Sequence, residues 1–109
     1  LGAAAIGDIG KHFPDTSVDY KGIDSKILLK KTNRMIALEG YSICNIDATV
    51  SLQKPKIAPY IDKIRETLAI TLEIPINLVS IKATTTERLG YVGQEEGVEA
   101  HAVVLLSKP

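Results

Sequence analysis

The run Thr84-Thr85-Thr86-Glu87 sets three hydroxyls and a carboxylate directly after the alternating segment Val79-Ser80-Ile81-Lys82-Ala83. Hydroxyls and free backbone N–H groups at a strand end suit a chain of phosphates. A carboxylate beside them suits a divalent cation that takes its remaining ligands from phosphate oxygens. Side chains alternate across a strand, so Thr84 and Thr86 would face one way and Thr85 the other, and one ligand cannot meet all three hydroxyls. A second reading needs no ligand: threonine is β-branched and favours strands, and Glu87 is then a solvated charge.

Two further stretches could carry chemistry. In "GDIGKHFPDTS", Asp8 and Asp15 share a loop whose glycines, Gly7 and Gly10, permit tight turns. Paired acids there can bind the hydroxyls of a polyol, or can do no more than form turns. The segment "QKPK", Gln53 to Lys56, falls between a predicted strand and a predicted helix, where unpaired backbone amides and carbonyls can read the edge of a base. Zinc-type spacing is missing, because His12, His101 and Cys44 lie far apart in the chain. His12 reads as a loop residue, His101 as a core or interface residue of the last strand, and Cys44 as a buried structural thiol of a reducing compartment. No nucleophile elbow, Walker-type loop or dinucleotide fingerprint is present.

The elements that must position these residues follow from periodicity. Leu1 to Ile6 reads as the tail of a helix closed by Gly7, which makes a chain beginning inside a helix the expectation. A loop runs from Gly7 to Gly22. Asp24 or Ser25 then caps a helix carrying Ile27, Leu28, Met35, Ile36 and Leu38, ended by Gly40. From Tyr41 to Gln53 the period is two: Cys44, Ile46, Ala48, Val50 and Leu52 share one face, and Asn45, Asp47, Thr49, Ser51 and Gln53 the other. Pro59 opens a helix with Ile61, Ile64, Leu68 and Leu72 on one side. Pro75 interrupts the chain, a strand follows to the threonines, and Val98 to Ser107 reads as a last strand apolar enough to be central. The class is α+β, a single domain over 1–109 with helices layered on one face of a mixed sheet.

The polar row Asn45 to Gln53 fits either a solvated face or one turned toward partner subunits, and at 109 residues, near the lower end of the sizes that bury a core unaided, the second is favoured. Thirteen basic and thirteen acidic residues give zero net charge, which leaves no electrostatic footprint for nucleic acid or an anionic membrane. The longest strongly apolar run, Ala102 to Leu106, is far short of the roughly 20 residues a bilayer requires.

Taken in order, "GDIGKHFPDT", "YKGIDS", "NIDATVSLQKPKIAPYIDKIR" and "SIKATTTERLGYVGQEEGVEAHAVVLL" resemble the C-terminal two-thirds of 2-C-methyl-D-erythritol 2,4-cyclodiphosphate synthase, of non-mevalonate isoprenoid biosynthesis. The resemblance covers essentially the whole chain. It implies a homotrimer with active sites between subunits and a small-molecule cytidine diphosphate substrate. In that reaction a 2-phosphate attacks the β-phosphate, a cyclic diphosphate forms and CMP leaves.

By the same resemblance, Asp8, Ile9, Gly10, Phe13, Pro14, Asp15, Thr16 and Ser17 contact the methylerythritol phosphate portion. Leu52, Gln53, Lys54, Pro55, Lys56, Ile57 and Ala58 form the cytosine pocket. Thr84, Thr85, Thr86 and Glu87, with Tyr91 nearby, bind the nucleotide's phosphates. Thr85 polarises the phosphate, and Glu87 is a ligand of Mg or Mn. The family's zinc ligands would all precede Leu1, so these residues by themselves are expected neither to bind zinc nor to turn over. Gln94 and His101 stand where many members carry an Arg and a Glu. The resemblance leaves two alternatives: a non-catalytic trimeric nucleotide-binding module, and the C-terminal part of a fused cytidylyltransferase and cyclase. It places the protein in the bacterial cytoplasm, or in plastids if the source is eukaryotic.

Overall fold

The structure, a computed structural model, describes residues Leu1–Pro109. In chain order the elements are α1 (Ile9–His12), α2 (Ser25–Leu38), β1 (Ser42–Ser51), α3 (Ile61–Leu72), β2 (Val79–Thr84), α4 (Gly90–Gly93) and β3 (Glu99–Ser107). Single 3-10 turns occupy Gly2–Ala4, Val18–Tyr20, Ala58–Tyr60 and Ile76–Leu78. Contacts divide the chain into two units, Asn45–Val104 and Leu1–Cys44 with Leu105–Pro109.

In the first of these units, β1 and β2 pair in parallel, in a register from Ile46 opposite Val79 to Ser51 opposite Thr84. Parallel strands need a long crossover, and α3 supplies it. Its apolar side places Ala69 against Val79 and Ile81, with Ala48, Ile61, Ile64, Leu68 and Ile74 packed around them. Burying a Val, Leu or Ile side chain fully contributes about 1.5–3 kcal/mol. Arg65 fixes the helix to the strand: its Nε donates to the Val79 carbonyl at 2.8 Å and its Nη2 to the Ile76 carbonyl at 3.2 Å. Buried Thr71 donates to the Thr67 carbonyl at 2.7 Å, so no hydroxyl is stranded in the core. On the opposite face of the strands, Lys82 and Asp47 form an exposed 3.0 Å ion pair.

The sheet order is β2-β1-β3. Ser42 at the start of β1 bonds Ser107 at the end of β3 at 2.9 Å, so β3 runs antiparallel to β1 and the sheet is mixed. This corrects the placement of the last strand, which is an edge strand while β1 is central. Val103 is 73% exposed and Leu105 58%. The apolar run marks an open face of β3 and not two flanking strands, because composition reports what covers a strand's faces and not its rank in the ladder.

In the other unit, Asp24 caps α2 by accepting from the Lys26 N–H at 2.9 Å. Gly40, at φ +88°, ends that helix in the left-handed region, where a side chain would be strained. Phe13 is buried and packs edge-on to Tyr20 at 5.4 Å, and Lys31 lies over the Tyr20 ring at 5.2 Å. Two expectations are corrected here. The N-terminal segment is one 3-10 turn closed by left-handed Ala5, ahead of Gly7. The stretch read as a loop contains α1 and a 3-10 turn, both too short to leave a period in the sequence.

Candidate functional site

Because β1 and β2 are parallel, the loop leaving one and the turn leaving the other emerge at the same end of the sheet, where α/β architectures bind ligands. The Leu52 N–H donates to the Thr84 carbonyl at 2.9 Å and ties the two exits together. Between them is a hollow of about 220 Å³, lined by Leu52, Gln53 and Pro55–Ala58 on one side and Ala83–Thr85 on the other. That is below the roughly 300–1,000 Å³ of sites that enclose a whole drug-sized ligand, so it has room for about one ring.

The walls suit a base. The backbone N–H groups of Lys56, Ile57 and Ala58 donate to no backbone acceptor, whereas the Tyr60 N–H closes its turn on the Ile57 carbonyl at 2.8 Å. The Gln53 Oε1 is buried with no partner. An orphaned buried acceptor costs roughly 1–3 kcal/mol, and Gln53 is one of the residues lining the hollow.

The three threonines are distinguished by their hydrogen bonds. Only Thr84 belongs to β2. Its hydroxyl donates to the Thr85 carbonyl at 3.1 Å, and the Thr86 hydroxyl donates to the Leu89 carbonyl at 2.7 Å. The Thr85 hydroxyl instead accepts, from the Glu87 N–H at 3.3 Å. Its own hydrogen therefore remains available for a phosphate oxygen.

Beyond Thr86 the Leu89 N–H returns to the Thr86 carbonyl at 3.0 Å, and both intervening residues have positive φ, 54° at Glu87 and 64° at Arg88. Turns of this kind ordinarily use Asn or Gly. Each non-glycine residue in the left-handed region costs about 1–2 kcal/mol, and such strain gathers at ligand clamps. Glu87 is exposed, and its carboxylate has no partner within the chain.

The remaining predicted residues are placed as follows. Lys54 lies outside the hollow and pairs with Glu95 at 3.7 Å. Tyr91, on α4, also lies outside it; its hydroxyl donates a short hydrogen bond to Glu99, which also accepts from His101 Nε2 at 3.4 Å. The hydrogen bond from Tyr91, and then that from His101, hold the Glu99 carboxyl below the ordinary value of 4.5, and the same bond to Glu99 raises the Tyr91 phenol above 10.0. In the other unit Asp8 caps α1, accepting from the Lys11 N–H at 2.9 Å, and Ser17 accepts from the Asp19 N–H at 3.3 Å. Ile9, Gly10, Pro14, Asp15 and Thr16 are exposed, whereas Phe13 is a core residue that supports the loop from beneath.

A larger hollow of about 460 Å³ opens beside the start of β2, lined in part by Asp47, Arg65 and Asn77. The Arg65 guanidinium there is already committed to two backbone carbonyls and Asp62, and Asp47 is paired with Lys82.

No three of His, Cys, Asp and Glu come together, and His12 Nε2 donates to the Ile6 carbonyl at 2.7 Å. The residues present do not fit a zinc centre. A magnesium-type ion needs only one or two carboxylates and otherwise takes phosphate oxygens and water, and the exposed, unpaired Glu87 carboxylate has the chemistry for such a ligand. Sequence reasoning missed the support for this turn, Arg88, Gly93 and Gln94, since a left-handed turn without Asn or Gly leaves no local signal.

Comparison with known proteins agrees with the geometry. The YgbB family matches residues 1–107. A relative from Prosthecochloris aestuarii, named 2-C-methyl-D-erythritol 2,4-cyclodiphosphate synthase, is 57% identical over 108 residues, covering 99% of this chain and 69% of its own. The bifunctional IspDF of Campylobacter jejuni superposes with a TM-score of 0.95 at 37% identity, over 99% of this chain and 29% of that one. A CDP complex of IspF from Plasmodium falciparum gives a TM-score of 0.80 at 31% identity, over 94% of this chain and 60% of that one. The chain therefore belongs to the YgbB family, in which its curated relatives are 2-C-methyl-D-erythritol 2,4-cyclodiphosphate synthases.

Proposed function

We propose that the protein acts as a 2-C-methyl-D-erythritol 2,4-cyclodiphosphate synthase, converting 4-diphosphocytidyl-2-C-methyl-D-erythritol 2-phosphate to the cyclic diphosphate with release of CMP. The observation that supports this reading is the 2.9 Å hydrogen bond from the Leu52 N–H to the Thr84 carbonyl, which joins the loop after β1 to the turn after β2 beside one hollow. The family match and the CDP complex of a similar protein support it.

In this reading the free amides of Lys56, Ile57 and Ala58 and the orphaned Gln53 oxygen read the cytosine edge. Thr85 donates to a phosphate oxygen as charge builds in the transition state. Because attack is intramolecular, positioning and charge neutralisation supply most of the acceleration. Glu87 would hold a Mg or Mn ion, which when bound supplies positive charge to the diphosphate. Asp8 and Asp15 would bind the polyol hydroxyls.

The protein is further proposed to assemble as a homotrimer whose subunits share active sites. The exposed Val103 and Leu105 on an edge strand support association. Bacterial relatives support a bacterial cytoplasmic setting, and no helix is long and apolar enough to cross a membrane. The similarity to a bifunctional chain favours one second reading, a cyclase part fused to a cytidylyltransferase. The full-length protein, given the cytidyl diphosphate substrate with zinc and magnesium, should release CMP and cyclic diphosphate in equal amounts. Absence of CMP would refute the assignment.

A further inference from the structure

The left-handed turn at Glu87 and Arg88 is held both from within and from outside. Thr86 closes it from within, by its carbonyl and its hydroxyl. From outside, Gln94 Nε2 donates to the Arg88 carbonyl at 3.2 Å. Gly93 packs directly against the same residue: a Cβ there would overlap the Arg88 carbonyl carbon and lie 2.6 Å from its Cα and 2.8 Å from its oxygen. Those neighbours are backbone and cannot swing aside. Helix α4 is four residues long, and its Gly93 N–H donates to the Leu89 carbonyl at 3.1 Å. Turn and helix therefore form one braced piece.

We infer that Gly93 and Gln94 are positioning residues that keep Glu87 and Arg88 left-handed and so fix the direction of the Glu87 carboxylate. The role given to that carboxylate rests on the proposed function; the brace does not. Without it, both residues gain by relaxing to negative φ, which redirects the Glu87 side chain.

The test uses Gln94→Met in the full-length protein, since methionine keeps the shape, removes the donor and adds no charge at an exposed position. Hydrogen exchange at the Leu89 amide, in protein without ligand, reads the brace. Loss of one hydrogen bond predicts exchange about two- to tenfold faster. Adding Arg88→Asn, a residue that tolerates the left-handed region, should return exchange toward the wild-type rate. CDP titrations with and without Mn²⁺ read the aim of the carboxylate: the gain in CDP affinity given by Mn²⁺ should fall by a similar factor in Gln94→Met, with metal-free CDP affinity unchanged.

Unchanged Leu89 exchange in Gln94→Met overturns the inference. Faster exchange with an undiminished Mn²⁺ effect also overturns it, because the brace then does not position Glu87. A wild-type protein whose CDP affinity ignores Mn²⁺ indicts the assignment of Glu87 as a ligand instead, and the exchange comparison still decides the brace.

Discussion

Thr85 is the threonine whose hydroxyl hydrogen is left free, and that separates it from two neighbours of identical chemistry. Replacing it with Ala should lower kcat by up to about a hundredfold, the scale of losing one donor aimed at developing charge. Thermal stability should move little, because an exposed hydroxyl leaves no cavity. Thr85→Ser should retain most of the activity; equal turnover by wild type and Thr85→Ala would remove the residue from the mechanism. Glu87→Gln should raise the Mn²⁺ concentration needed for half-maximal activity while CDP binding without metal is unchanged. At this scale the sequence was partly legible. The alternation of a strand limited how many threonines could be ligands, but which hydroxyl stays free depends on where β2 ends, and the strand stops at Thr84. The left-handed backbone of Glu87 and Arg88 was illegible, because neither is a residue that favours it.

The elements transmit that placement. Ile81 packs under α3, so Ile81→Ala should destabilise the protein by about 2–5 kcal/mol in denaturant titrations. It should also disturb the site, since β2 delivers the threonines. The bond from Tyr91 on α4 to Glu99 on β3 carries a pH signature. Glu99 is held below its ordinary 4.5, so its contribution is complete above that value and is lost as pH falls through the depressed folded value. Glu99→Gln should therefore flatten the acid side of the stability–pH curve, and a curve superposing on wild type would show that the bond contributes nothing in solution. Helices α2 and α3 and strand β1 were legible from apolar periods and caps, notably Asp24, because each is long enough to show a repeat. Helix α4 and the 3-10 turns were not, and β3 was assigned the wrong rank because its apolar face is open.

For the whole molecule, zero net charge and a short chain pointed away from nucleic acid and toward association, and the family follows from residues spread over nearly its full length. For the proposed homotrimer, Val103→Glu on the exposed face of β3 should shift sedimentation from trimer to monomer and lower turnover with it; unchanged sedimentation would place the contact elsewhere. The central claim concerns one location, the hollow between the loop after β1 and the turn after β2. Its most direct test is the crystal structure of the full-length protein with CDP and Mn²⁺. The account predicts cytosine density against Lys56–Ala58 and the diphosphate on Thr85 and Glu87. Nucleotide density at any other place, with that hollow filled only by water, would contradict it.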